Sequence, residues 1–280
     1  MNVVTTTADI AALVKEVGGG HVSVTSISKG YQDPHYVEAK PSYMLKVNRA
    51  DLLVYVGMEL EIGYLPLLIE GGRNPNIRLG QPGLLDLSTA IVPIEVPVGE
   101  VDRSMGDVHP YGNPHYHLDP ANGPLMAGLI ADRLSLLDPD HAPEYKSNLE
   151  NFRKRMEAKL KEWGARMEKF KGTRIVTYHL LWSYFMKRFG LEYAGVVENK
   201  PGISPSPKHL LELAETMKRQ KIKFILMNDY TDPSFANLLK EKTGASVLIL
   251  PGSVGGIPEV KDYTGLFDYL IAKVEQALSH

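Results

Sequence analysis

The chain has 280 residues, 44% of them hydrophobic, which is enough for one large domain or for two lobes that each bury a core. Lys and Arg total 31 and Asp and Glu total 33, so the chain lacks the basic surplus that binds nucleic acid or an anionic membrane. Cysteine is absent, which excludes disulfides, thiolate metal ligands and cysteine nucleophiles. Any bound metal must therefore be held by nitrogen and oxygen ligands.

Short apolar runs alternate with helical patterns in the first half of the chain. In chain order they predict a strand at 2–6, a helix at 8–17, a strand at 22–27, a helix at 41–47, a strand at 51–56 and a helix at 59–69. Strands that alternate with helices predict a parallel sheet with crossover helices. The stretch 73–120 is rich in proline and glycine, and there we expect loops with an edge strand at 91–96.

A long helical pattern occupies the middle of the chain, after a helical stretch at 121–137 and a break at Asp138-Pro139-Asp140. Apolar residues recur every three or four positions from Tyr145 to Phe170, which predicts a helix of about 26 residues, roughly 39 Å long. One interpretation is a surface-packed or coiled-coil helix. The other is a rigid spine between two lobes, and the α/β pattern on both sides favours the spine.

The alternation of strands and helices resumes in the second half. The pattern predicts strands at 174–178, 193–197, 224–227 and 247–250, and helices at 182–189, 207–219, 233–242 and 262–278. The predicted fold class is therefore α/β, with two lobes that each contain a parallel sheet, joined by a long helix. We expect an N-terminal lobe at 1–137, a linking spine helix at 138–171 and a C-terminal lobe at 172–280.

Three of the nine histidines lie in loops or at strand ends, where open α/β sheets place their ligands. His35 and His115 each follow a proline, which stiffens the loop and lowers the entropy cost of coordination, and His179 directly follows a predicted strand. Asp232 follows the strand at 224–227 and is the candidate for a fourth ligand. Three imidazoles and one carboxylate suit a tetrahedral Zn²⁺ site.

Each candidate also has an ordinary structural interpretation. A single surface histidine is usually just solvated, and Asp232 has the position of a helix N-cap. In an extended stretch His117 points away from His115, as a residue near the ligands or in solvent. His109, together with Asp107, is a candidate for an exposed, loosely built metal-collecting site.

In order and spacing these motifs resemble those of the metal-specific solute-binding proteins of bacterial ABC importers, cluster A-I (cluster 9), of the zinc-uptake type. The resemblance extends over essentially the whole chain. It rests on Asp33-Pro34-His35 with Glu38, Asn113-Pro114-His115 with Leu118-Asp119, His179 with Tyr184-Phe185, Gly202-Ile203-Ser204-Pro205-Ser206-Pro207, and Asp232-Pro233. It implies two α/β lobes bridged by a rigid helix, with the metal in the cleft between the lobes.

The resemblance also implies the ligands: His35 and His115 from the first lobe, and His179 and Asp232 from the second. In this family a histidine at the third position goes with zinc and a glutamate with manganese, so His179 favours Zn²⁺, with Mn²⁺ as the alternative. Imidazole-rich sites also suit Zn²⁺ better than the harder Mn²⁺. The implied function is extracytoplasmic capture of Zn²⁺ and its delivery to the membrane permease of an ABC importer. We expect a monomer that is not an enzyme and binds no nucleic acid.

The chain departs from the family pattern at several positions. His117 stands where an aromatic residue is usual, and Ser204 and Asn228 stand where the family often has glutamate. The long loop rich in histidine and acidic residues that many zinc members carry is reduced to a short stretch with Asp107 and His109. These changes concern the surroundings of the metal and any accessory site, and they leave the four ligand positions in place.

The cellular location and two rival functions complete the expectations. No leader segment precedes the first predicted strand, which fits either a cytosolic protein or a secreted one whose leader is absent from this chain. The resemblance implies the second, so we expect a periplasmic or lipid-anchored extracytoplasmic protein. A zinc hydrolase would keep water in the fourth coordination position and use Glu38 or Asp119 as a base. A surface adhesion protein is the other alternative.

Overall fold

Two four-stranded parallel sheets organise the chain, one in each half. The computed structural model describes residues 1–99, 105–106 and 108–279. The first sheet contains β1 (Asn2–Thr5), β2 (Ser23–Ser26), β3 (Leu52–Tyr55) and β4 (Leu84–Asp86), in the order β2-β1-β3-β4. The second contains β5 (Arg174–Thr177), β6 (Glu192–Val196), β7 (Phe224–Asn228) and β8 (Ser246–Leu250), in the order β6-β5-β7-β8. Both sheets thus have the same strand order, and the predicted α/β fold class is confirmed.

Helices connect these strands and cover the sheets. They are α1 (Ala8–Gly18), α2 (Pro41–Asn48), α3 (Leu65–Gly72), α4 (Asn122–Leu137), α5 (Ala142–Met167), α6 (Ser183–Phe189), α7 (Pro207–Gln220), α8 (Ser234–Thr243) and α9 (Tyr263–Leu278). Side-chain oxygens of Thr7, Ser206 and Asp262 accept hydrogen bonds from backbone amides in the first turns of α1, α7 and α9. Such caps satisfy amides that have no partner within the helix, and they determine where these helices begin.

Two predicted elements of the first half differ from the structure. The helix expected at 59–69 begins only at Leu65, because Met58 and Glu59 have positive φ angles of 53° and 64°, which an α-helix cannot contain. The edge strand expected at 91–96 was wrong. Pro93 has no amide hydrogen to donate and Glu95 has a φ of 54°, so β4 forms earlier in the chain and pairs with β3.

Helix α5 is the 26-residue spine that the apolar stripe predicted. Its buried face packs against α1 and α4 from the first half and against α9 from the end of the chain. One continuous apolar core includes Val3 of β1, Trp163 of α5 and Ile175 of β5, so the helix connects the interiors of both halves. The predicted lobe boundaries stay predictions, and α9 packs on α1 as well as on α5.

The carboxyl ends of the two sheets face one another. His35 lies in the loop after β2 and His179 follows β5, yet their ring centroids are only 5.9 Å apart. Parallel sheets with this strand order open a crevice at the carboxyl ends of their strands, where ligands bind. The fold therefore brings two such crevices together. Among the described residues, no helix is both long and apolar enough to cross a membrane.

Candidate metal centre

Three histidines from distant parts of the sequence converge at this crevice. Ligand nitrogens of His35, His115 and His179 all lie within 4.8 Å of one another. The ring centroids are 5.2 Å apart for His35 and His115, and 5.5 Å apart for His115 and His179. The rings meet at interplanar angles between 67° and 76°, so ring edges rather than faces come together. Imidazole nitrogens that converge in this way can bind one cation.

His35 is held in one orientation by Asp33. The Oδ1 of Asp33 accepts hydrogen bonds from the backbone amide of His35 at 2.9 Å and from its Nδ1–H at 2.7 Å. Burial acts to raise the pKa of Asp33, but hydrogen bonds from His35 and its charge outweigh this effect, so the pKa lies below its usual 3.8. The ionised carboxylate keeps the proton on Nδ1 and leaves the Nε2 lone pair for a metal.

His179 has the same kind of support from Glu198. Its Nδ1–H donates to Oε2 of Glu198 at 3.1 Å. Glu198 lies two residues beyond β6, and β6 pairs in parallel with β5, the strand that His179 follows. The carboxyl ends of both strands therefore meet at one edge. Sequence analysis missed Glu198, although its position just past a strand was the signal that pointed to His179.

His115 is the most deeply buried of the three, with 2% of its surface exposed. Its backbone amide donates to Oδ1 of Asn113 at 2.8 Å, and Nδ2 of Asn113 donates to the backbone oxygen of Leu180 at 2.7 Å. Asn113 thus connects His115 with the residue after His179. Burial, followed by the positive charges of neighbouring histidines, holds the pKa of His115 well below its usual range. The imidazole is therefore neutral, the form that binds metals.

Asp232 does not join the three histidines in the structure. Its side chain is exposed, and its Oδ1 accepts a hydrogen bond from the backbone amide of Ser234 at 2.7 Å, where α8 begins. This hydrogen bond lowers the pKa of Asp232. The contact matches the ordinary structural interpretation of the residue at a helix start. Its role as a metal ligand stays a prediction that its position does not support.

Two further histidines lie near the centre. His117 is in a short 3₁₀ turn, not in the extended stretch that was expected, and its Nε2–H donates to the backbone oxygen of Gly252 at 3.0 Å. His109 was expected to be exposed and separate, but its Nε2 lies 3.2 Å from Nε2 of His35. Asp107, which was predicted together with His109, lies outside the described residues.

A comparison with models of known protein families shows to which family the chain belongs. The family model ZnuA, described as zinc-uptake complex component A, periplasmic, matches residues 3–277. The chain belongs to the ZnuA family. This confirms the resemblance found in the sequence, since the ZnuA model spans both sheets, the spine helix and all the candidate ligands.

Relatives of this ZnuA-family chain include proteins named as metal-binding lipoproteins. It is 26% identical, over 100% of its own length and 89% of the relative, to the metal ABC transporter substrate-binding lipoprotein ScbA of Streptococcus cristatus. It is 24% identical to the zinc-binding lipoprotein AdcA of Streptococcus pneumoniae over 89% of this chain but only 49% of AdcA.

Solved structures confirm the two-lobed fold. A crystal structure of ZnuA superposes with a TM-score of 0.84 at 23% identity, covering 99% of this chain and 98% of the other. A mutant structure of the laminin-binding adhesin Lmb from Streptococcus agalactiae gives a TM-score of 0.82 at 27% identity, with 99% of both chains covered. The ZnuA-family chain therefore shares its fold along its entire length.

Proposed function

We propose that this protein captures Zn²⁺ outside the cytoplasm and delivers it to the membrane permease of an ABC importer. The observation that carries the proposal is the convergence of His35, His115 and His179 from both halves of the chain. Family membership and the relatives named as ABC transporter substrate-binding and zinc-binding lipoproteins support it.

The chemistry follows from the state of each imidazole. Asp33 and Glu198 fix the Nδ1 protons of His35 and His179, so both histidines present Nε2 to an incoming cation. His115 is neutral because it is buried. Zinc therefore meets three imidazoles in their binding form. Because the ligands come from both sheets, bound zinc bridges the lobes, and the spine helix limits rearrangement to the loops and small lobe movements.

The choice of metal rests on His179. Relatives include the manganese ABC transporter substrate-binding lipoprotein ScaA of Streptococcus gordonii, which is 26% identical over 100% of this chain. An all-nitrogen set of protein ligands suits Zn²⁺, whereas carboxylate oxygen suits Mn²⁺. We therefore propose zinc as the transported ion and manganese as the weaker competitor.

Transport, not catalysis, is the activity that we propose for the centre. The two carboxylates considered as bases for a hydrolase are engaged elsewhere. Asp119 accepts two hydrogen bonds from Arg188 at 2.6 and 2.8 Å. Glu38 is exposed and lies 3.6 Å from the ammonium group of Lys40. We propose a periplasmic or lipid-anchored location, in line with the family description and the lipoprotein relatives. We also propose that the protein is a monomer.

The decisive experiment measures zinc binding by a series of alanine variants. Isothermal titration with a competing chelator should give one zinc per chain for the native protein. We expect His179→Ala to weaken binding by at least about 100-fold, since a metal ligand is lost. Asp232→Ala tests the fourth predicted ligand, and its exposed position leads us to expect unchanged affinity. Native protein that binds no zinc, or a His179→Ala variant with native affinity, would refute the proposed site.

A further inference from the structure

The position of His109 differs from what a loosely exposed metal-collecting residue would show. Its Nε2 lies 3.2 Å from Nε2 of His35. The two ring centroids are 5.3 Å apart, nearly the same as the 5.2 Å between His35 and His115. His109 is therefore as close to the first ligand as the second ligand is.

The distance between the two nitrogens fits shared coordination of one ion. Zn–N bonds of about 2.05 Å at a tetrahedral angle place two ligand nitrogens about 3.3 Å apart. Since Asp33 holds the proton of His35 on Nδ1, the Nε2 of His35 is unprotonated and has a free lone pair. The Nε2 of His109 faces this lone pair, so either a proton or a cation must lie between the two nitrogens.

The surroundings of His109 place it at the same centre. A cavity of about 60 Å³ is lined by His109, His115 and His179 together with Pro201 of the second half. The chain before His109 also reaches the second half. Gly106 has a φ of 81°, and a Cβ built on it would lie 2.2 Å from the backbone oxygen of Pro201. Only glycine allows this close approach.

We propose that His109 is the fourth zinc ligand. This inference rests on the proposed function and deepens it. The ligand set becomes four imidazoles: His35, His109 and His115 from the first half, and His179 from the second. His109 takes the fourth coordination position, for which the sequence had suggested Asp232. Four nitrogen donors also sharpen the preference for zinc over manganese.

Binding requires one change at His109. To bind zinc, the Nε2 of His109 must be unprotonated, so a proton on this nitrogen would move to Nδ1 or to solvent, and both Nε2 lone pairs would then face the cation.

The test counts imidazoles around bound zinc. Zinc-edge X-ray absorption of the loaded native protein should show four imidazoles, and His109→Ala should show three with an oxygen ligand in place of the fourth. We expect His109→Ala to bind zinc at least about 10-fold more weakly in chelator competition. The control is His141→Ala, since His141 pairs with Asp138 away from the centre. It should keep four imidazoles and native affinity.

A second variant separates a ligand from a residue that only shapes the loop. His109→Asp restores an oxygen ligand, so it should bind zinc more tightly than His109→Ala and raise the affinity for manganese relative to zinc. Three imidazoles around zinc in the native protein would overturn the role of His109, whatever the affinity of its variants, and would leave the proposed function standing. A native protein without zinc affinity would overturn the proposed function itself.

Discussion

Two carboxylates, Asp33 and Glu198, set the chemical state of two of the proposed metal ligands, His35 and His179. Each accepts the Nδ1 proton of a histidine and so fixes which nitrogen is free to bind. Carboxylates in this position also make the imidazole a stronger donor. Within the described part of the chain no carboxylate bonds to Nδ1 of His115, and burial keeps this ring neutral instead. The centre therefore uses two different means of keeping imidazoles ready for a metal.

Removal of the Asp33 carboxylate should weaken zinc binding although no ligand is lost. In Asp33→Ala the His35 ring loses the bond that fixes its proton and its orientation, and we expect zinc affinity to fall by about 10–100-fold. Chelator competition measures the change. Glu212→Ala removes an exposed carboxylate on α7 and serves as the control. Equal affinities for both variants would show that Asp33 only shapes the loop.

At the residue scale, sequence reasoning found the three histidines that converge in the structure, which lie directly at strand ends or in stiff loops. His35, His115 and His179 could be predicted because the carboxyl ends of parallel strands form the binding edge of such folds. The same rule pointed to Asp232, but the chain runs on past β7 and its side chain serves the start of α8. The position of His109 beside His35 was not predicted, because no local sequence signal shows where a long loop folds back.

Among the elements, β1 and β3 are joined at their carboxyl ends by one buried carboxylate. Glu61 is 2% exposed. It accepts hydrogen bonds from Thr6 Oγ1 at 2.6 Å, from the backbone amide of Val56 at 2.7 Å and from that of Gly57 at 3.1 Å. Burial raises the pKa of Glu61 from 4.5 to about 7, and these hydrogen bonds only partly offset the effect. The hydrogen bonds that hold the ends of β1 and β3 together thus depend on the protonation of Glu61.

The raised pKa of Glu61 predicts a pH dependence of stability. Unfolded chains release this proton near pH 4.5 and the folded protein keeps it to about pH 7, so between these values the folded state binds more protons. Stability from this group is complete below pH 4.5 and is lost as pH rises toward 7, by a total on the order of 3 kcal/mol. Urea unfolding of metal-free protein at several pH values measures this effect. In Glu61→Gln the free energy of unfolding should lack the fall between pH 4.5 and about 7. Glu212→Gln should keep this fall. The same dependence of the free energy of unfolding on pH in both variants would contradict the raised pKa of Glu61.

The spine α5 derives its rigidity from large buried side chains. Trp163 is fully buried, and its Nε1–H donates to Asp268 of α9 at 2.9 Å. Its ring centroid lies 5.5 Å from that of Phe267. The indole therefore joins the spine to the last helix of the chain.

Truncation of Trp163 should destabilise the whole protein. We expect Trp163→Ala to lower the free energy of unfolding by about 3–5 kcal/mol, because it leaves a large cavity between α5 and α9. Trp163→Phe keeps most of the apolar contact and should lose clearly less. Chemical denaturation followed by circular dichroism measures both. If the two variants lost the same amount, the hydrogen bond to Asp268 rather than packing would hold the helices together.

At the element scale, the sequence predicted most strands and helices because their hydrophobic period is strong. The spine is the clearest case, since apolar residues recur on one face of the helix over about seven turns and charged residues occupy the other face. The two misplaced elements lie in stretches where backbone angles decide. Positive φ angles occur at Met58, Glu59 and Glu95. Methionine and glutamate rarely adopt such angles, so the sequence does not predict them.

At the scale of the molecule, zinc should act as a pH-dependent clamp on both lobes. At free zinc 100 times Kd, binding adds about 2.7 kcal/mol to the free energy of unfolding. Protons compete with zinc for the imidazoles, so this gain should shrink as pH falls. Thermal unfolding with and without zinc, from pH 8 down to about pH 5, tests it. His179→Ala should show little gain at any pH, and a gain independent of pH would refute coordination by histidine.

Independently of any metal, a buried carboxylate of α1 holds the first half to the second. Asp9 is 3% exposed, and it accepts hydrogen bonds from the hydroxyl of Ser253 and, at 2.8 Å, from the backbone amide of Val254. Both residues follow β8 of the second sheet. The backbones also approach closely here, since a Cβ on Gly30 would lie 2.1 Å from the backbone oxygen of Val254. This contact fixes one side of the cleft in which the histidines meet.

Loss of the Asp9 carboxylate should therefore affect both stability and zinc capture. Asp9→Ala leaves the amide of Val254 buried without a partner, and we expect the free energy of unfolding to fall by about 1–3 kcal/mol. Ligands from both lobes must then be brought together at a greater cost in conformational entropy, so zinc affinity should fall as well. Asp9→Asn keeps an oxygen for Val254 and should restore most of both quantities. Denaturation and chelator competition on the same samples measure them. A variant that loses stability but binds zinc with native affinity would show that the contact at Asp9 contributes to folding without organising the metal centre.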